Sequence, residues 1–153
     1  MIQRIQTLFL LFALILTVML FFLPIAEIIT GNNHLLVFKS SGLYEAETNE
    51  VIIKTVPVMI LIAVITFLYF AAIFLYKRRI LQSRICMLNI LLLVGLAGLL
   101  IYYLTFVFRK VDITFSSFQL AALYPVICII LTYLAFRRIR RDEQLVRSTD
   151  TIR

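Results

Sequence analysis

The chain has 153 residues and a formal net charge of +7 at pH 7. Apolar residues make up 63% of it and charged residues 15%, against roughly 45–50% and 25% in soluble domains. A soluble fold this small has too little interior to bury so much apolar surface, so soluble classes are excluded and a lipid bilayer is the solvent that fits.

The first charge-free stretch covers residues 5–26, between Arg4 and Glu27. A spanning helix needs roughly 20 mostly apolar residues, whereas a signal-peptide core has only roughly 7–15. Pro24-Ile25-Ala26 is also a poor cleavage site. The stretch therefore reads as a retained first span, about 5–29.

Gly31-Asn32-Asn33 then breaks the chain. Residues 35–38 and 43–46 are β-prone and flank the turn Lys39-Ser40-Ser41-Gly42, which predicts a short hairpin. A lone hairpin is marginal in water, so it must rest on helix ends or on the membrane surface. Glu27 and Lys54 bracket this loop; Glu27 reads as an interfacial carboxylate in water, with a pair to Lys54 as the alternative.

The second span is expected at about 53–77, with Pro57 in its first turn, where a missing N–H costs little. The third is expected at about 84–108. Its Asn89 should form a hydrogen bond to another helix, because an amide in lipid needs partners. Gly95 and Gly98, with Ala97 between them, allow close helix packing inside the bundle. The fourth span, about 114–137, carries Pro125 at mid-length, which predicts a kink. A basic tail, 138–153, continues the helix, with Glu143 and Arg147 in the favourable i,i+4 order.

All four stretches are apolar all round, without the two-residue alternation of a membrane barrel. Short links at 77–84 and 109–112 force antiparallel neighbours. The expected fold is an all-α membrane protein: four transmembrane helices in one up-down-up-down antiparallel bundle, plus the hairpin.

Basic residues orient it. Arg4, Lys77, Arg78, Arg79, Arg84, Arg137, Arg138, Arg140, Arg141, Arg147 and Arg153 fall on one side, and only Lys39, Lys54, Arg109 and Lys110 on the other. Cytoplasmic loops carry the excess of Lys and Arg, so both termini are expected in the cytoplasm. Of these, Arg4, Lys77, Arg78, Arg79, Arg84, Arg137, Arg138, Arg140 and Arg141 are the candidates for binding anionic lipid headgroups or a protein partner. Nucleic acid is not expected, since no aromatic residue interrupts the basic run of the tail to stack on bases.

Chemistry is sparse. No ionisable residue lies at mid-depth in a span, where proton- and ion-coupled transporters place one. His34 is the sole histidine. No CxxC, HExxH, phosphate-loop or GxSxG pattern occurs, so no catalytic centre, metal or cofactor is expected. Cys86 and Cys128 differ in depth by roughly 10 Å at helical rise, too far for a disulfide. Three functions compete: a non-enzymatic accessory or scaffold protein acting through the basic face, an oligomeric transporter or channel for a small or hydrophobic solute, and a lipid-active enzyme. Thr66, Asn89, Thr105, Gln119 and the Pro125 kink would form the transport path. Glu27 or His34 would serve the enzyme.

The opening Met1-Ile2-Gln3-Arg4-Ile5-Gln6-Thr7, the run YKRRILQSRICMLN at 76–89 and the tail RRDEQLVRSTDTIR at 140–153 resemble an uncharacterised family of four-span membrane proteins from Bacteroidota, domain of unknown function (DUF) 4293. The resemblance covers essentially the whole chain and implies a bacterial inner-membrane location. It brings no catalytic residues. Its shared motifs are the cytoplasmic ones, which points to the inner face as the working surface.

Overall fold

A computed structural model describes residues 3–30, 34–107 and 113–150. The expected breaker Gly31-Asn32-Asn33 and the 109–112 link lie outside the described residues. So do the side chains of Arg4, Lys77, Arg79, Glu143 and Arg147, and with them the Glu143–Arg147 pair.

Four long helices are present: α1 (Gln3–Phe22), α2 (Val56–Phe74), α3 (Arg79–Tyr102) and α4 (Tyr124–Asp150). Each is long and apolar enough to cross a membrane. At 1.5 Å per residue the 19 residues of α2 extend about 29 Å, close to the hydrocarbon thickness of a bilayer. Every helix packs on its two neighbours in a closed ring, α1 on α2 and α4, and α3 on α2 and α4.

The inward faces follow a strict rule. Gln6, Leu10, Ala13, Thr17 and Leu20 are buried on α1, and Val58, Ile62, Ile65, Tyr69 and Ala72 on α2. On α3 the set is Gln82, Cys86, Asn89, Leu93, Leu96 and Leu100, and on α4 it is Cys128, Thr132, Ala135 and Ile139. The spacing alternates between four and three residues, a 3.5-residue repeat that keeps one seam facing the partner and winds helices into a left-handed bundle. The outward faces carry large apolar side chains such as Leu91, Phe67, Phe70 and Ile130. Most of the polar residues within the helices thus point in, among apolar ones, while the outward faces are apolar, an arrangement suited to an apolar solvent.

The all-α expectation is corrected. One end of the bundle carries a five-stranded antiparallel sheet in the order β4-β3-β2-β1-β5. The expected hairpin is there, as β2 (Leu35–Lys39) and β3 (Gly42–Glu45) around Ser40 and Ser41. β1 (Ala26–Thr30) and β4 (Val51–Lys54) flank it. β5 (Ile113–Phe118) pairs with β1 across the link between α3 and α4. Side chains alternate on this sheet. Ala26, Ile28, Leu36, Phe38 and Leu43 are buried and join the helix core in one cluster, which is what makes a sheet too small to stand alone stable here. Gly42 is required: a Cβ there would sit 2.7 Å from the Ile53 carbonyl oxygen.

The fourth span is corrected with it. Residues 113–118 form β5, residues Leu120–Leu123 a 3-10 turn, and α4 begins only at Tyr124. Pro125 is therefore the second residue of a helix and kinks nothing, since the N–H it lacks would be unpaired there anyway. Pro57 sits in the first turn of α2 as expected. α3 ends in a π-helical turn, Tyr103–Val107.

Candidate functional site

Beyond its apolar run α4 simply continues, because Arg137 to Asp142 contains good helix formers and no breaker. Ile139 is completely buried, which fixes the helix against the bundle at this level. Its neighbours Arg137, Arg138, Arg140 and Arg141 are then turned outward and are exposed. The Arg138 guanidinium lies over the Phe9 ring at 5.7 Å and the Arg140 guanidinium over Phe136 at 5.0 Å, contacts that steady long side chains without neutralising them. Arg78, at the turn from α2 to α3, and Arg84, on the first turns of α3, are exposed at the same end.

Two buried amides brace that end. Gln6 of α1 donates through Nε2 to Asp142 of α4. Gln82 of α3 donates through Nε2 to the Ala72 carbonyl at 3.1 Å, one of the carbonyls left over where α2 stops. Asp142 is thus engaged by an uncharged group. Among the described residues none of the six arginines makes an ion pair, and at the sheet end His34 Nδ1 lies 3.0 Å from Glu45 Oε1. The arginine end carries six exposed arginines against the Asp142 carboxylate and so keeps an excess of positive charge. Lys77 and Arg79 share its turn by sequence.

The interior is polar in places but locally satisfied. Thr17, Thr66, Thr105 and Thr132 each donate to the carbonyl four residues earlier. The Tyr69 hydroxyl meets the Thr132 hydroxyl, which itself donates to the Cys128 carbonyl. Cys86 and Cys128 are free and buried, as expected. The residues expected to form a transport path do not line up. Thr105 is exposed, Gln119 lies at the sheet, and Asn89 stands alone in the core.

Asn89 is completely buried, yet neither its Nδ2 nor its Oδ1 has a hydrogen-bond partner in the protein. The expected interhelical bond is not formed; the buried hydroxyls of Thr17, Tyr69 and Thr132 are spent on other partners. Gly95 and Gly98 are exposed, with nothing within 4 Å of a Cβ at either. Their expected place in packing within the bundle is corrected: both face away from it.

The Glu27–Lys54 pair is likewise absent. Glu27 is on β1 and Lys54 on β4, three strand spacings or about 14 Å apart. Glu27 instead accepts from Gln119 Nε2 at 2.8 Å. His34 is engaged with Glu45 and lies three residues, about 10 Å, along β2 from Val37, the residue opposite Glu27. The two do not form one centre.

The bracing pairs Gln6–Asp142 and Gln82–Ala72 escape a reading of the apolar stretches alone. Their signal is the heptad spacing of the few polar residues, since Gln82 and Asn89 lie seven apart on one seam. A model of the family described as Domain of unknown function (DUF4293) matches residues 2–152. A comparison with curated proteins returns no match.

Proposed function

The chain belongs to the DUF4293 family, and we propose that it is a non-enzymatic accessory or scaffold protein of a bacterial inner membrane. In this reading it crosses the bilayer four times, holds its sheet outside, and presents the arginine end to the cytoplasm. The bias of Lys and Arg to that end supports the orientation.

One observation carries the function: six exposed arginines on a braced helical end, none of them in an ion pair, against the single described carboxylate of Asp142, which is bound to Gln6. Such an excess of positive charge attracts a complementary surface. Anionic headgroups supply one at about 1 kcal/mol per arginine. An acidic face on a membrane or cytoplasmic protein supplies one with shape as well as charge, and planar guanidinium groups suit bidentate pairing with its carboxylates. The transport alternative gains no support from hydroxyls that are spent on their own helices.

Affinity purification of the tagged full chain in mild detergent is the test. A partner should be recovered reproducibly at low salt and be lost both at high salt and in a variant with Arg137, Arg138, Arg140 and Arg141 all changed to Gln. Recovery of the protein alone, or of a partner indifferent to those four changes, contradicts the proposal.

A further inference from the structure

At the opposite end, directly beneath the sheet, a cavity of about 450 Å³ opens between α3 and α4. Ala97, Leu100 and Leu104 line it on one side and Val126 on the other, with Ile25 and Phe118 as its roof. Its origin is local. Here α3 widens into its π turn and α4 is preceded by a narrow 3-10 turn, so the regular ridges by which helices interlock are interrupted on both sides. π turns often mark functional sites for this reason. Ile101 at 61%, Phe118 at 65% and Leu123 at 55% exposure border the cavity. The opening is therefore sideways, toward the surroundings of the bundle.

Among the described lining side chains Gln119 alone is polar. Its Nε2 is given to Oε1 of Glu27, which stands outside the lining and meets the rim through this bond; the Gln119 side-chain carbonyl oxygen and Glu27 Oε2 are left as acceptors with no described partner. No described cation lies within salt-bridge distance of Glu27.

We propose that this cavity is a binding site for one bilayer lipid with a primary-amine headgroup, its acyl chain in the cavity and its ammonium at Gln119 and Glu27. The volume is within the roughly 300–1,000 Å³ of small-molecule pockets. It has room for roughly fifteen water-sized groups, which suits a single hydrocarbon chain and is too little for a whole phospholipid. A chain that moves from lipid into an apolar cavity gains no hydrophobic free energy. Selectivity must therefore come from the polar end, where two acceptors, one of them a carboxylate, favour an ammonium and repel an anionic head. The site rests on the four-span reading but not on the arginine face, and it lies at the other end of the molecule.

Native mass spectrometry of the full chain in mild detergent tests it, with dioleoyl phosphatidylethanolamine and dioleoyl phosphatidylglycerol added at equal concentration. The measurement is made with all six exposed arginines (Arg78, Arg84, Arg137, Arg138, Arg140 and Arg141) changed to Gln, which removes the described competing anion site. One ethanolamine lipid should be retained about fivefold over the glycerol lipid, the scale of a single partly exposed charge contact. Glu27→Gln should abolish that preference while the chain is still held. Ala97→Phe, which fills the cavity, should abolish retention of both lipids. Equal or stronger retention of the glycerol lipid by the parent overturns the proposal. So does an ethanolamine preference that survives Glu27→Gln, or retention that survives Ala97→Phe.

Discussion

Asn89→Leu should make this protein more stable. The side chain is 0% exposed and both of its polar atoms lack a protein partner. Leaving a buried donor or acceptor unpaired costs about 1–3 kcal/mol. Leucine has the same number and branching of heavy atoms, with bulkier methyl ends, and takes the place on the α3 seam between the buried Cys86 and Leu93; the packing cost of those methyls is set against the gain. The expected gain is about 1–3 kcal/mol, which for a chain of this size is a rise of several degrees in Tm. Thermal unfolding in detergent, followed by a thiol-reactive dye, reads it directly, because both cysteines are buried until the bundle opens. Asn89→Asp, which puts a charge in the same space, should lower Tm sharply. A loss of 1 kcal/mol or more in Asn89→Leu would refute the reasoning, since it would mean that the amide is hydrogen-bonded in the folded bundle.

Four further outcomes are expected from the same measurement or its variants. Tyr69→Phe deletes the hydroxyl that meets Thr132 and should cost about 1 kcal/mol; no change in Tm would remove that contact from the core. Gly42→Ala should lower stability by about 1–3 kcal/mol, because the new Cβ meets the Ile53 carbonyl. Gly98→Ala, with open space around it, should be neutral or slightly stabilising, and a marked loss there would reveal a contact made outside the single chain. Maleimide added to the folded protein should leave Cys86 and Cys128 unmodified, and fast labelling of either would contradict their burial.

The four helices were legible because charge brackets each apolar stretch, and a bilayer fixes how long such a stretch must be. Which face of each helix turns inward was harder to read, since lipid accepts apolar residues as readily as the core does. The information was present in the minority: Gln6, Thr17, Gln82, Asn89 and Thr132 all lie on the seams. The hairpin of β2 and β3 was visible in local turn chemistry. β5 was not, because residues 113–118 carry no charge and merge into the next span, while their pairing with β1 is made some ninety residues away in sequence. Even so, the alternation in Ile113-Thr114-Phe115-Ser116 and the helix-starting character of Pro125 were signals against a continuous span. The arginine cluster was read from sequence alone. Its bracing by Gln6 and Gln82, the empty surroundings of Gly95 and Gly98, and the Glu27–Gln119 bond were not, since all depend on which helix or strand comes alongside.

Four spans with a cytoplasmic arginine face are the premise of the proposed function, and impermeant thiol labelling measures it. Glu47→Cys lies on the exposed turn between β3 and β4, and Gln144→Cys on the exposed end of α4, while the native thiols are buried and silent. On sealed membranes with their outer face accessible, the Glu47→Cys variant should label at once and the Gln144→Cys variant only after permeabilisation. The reverse pattern, or immediate labelling of both, would contradict a four-span protein with its sheet outside and its arginines in the cytoplasm.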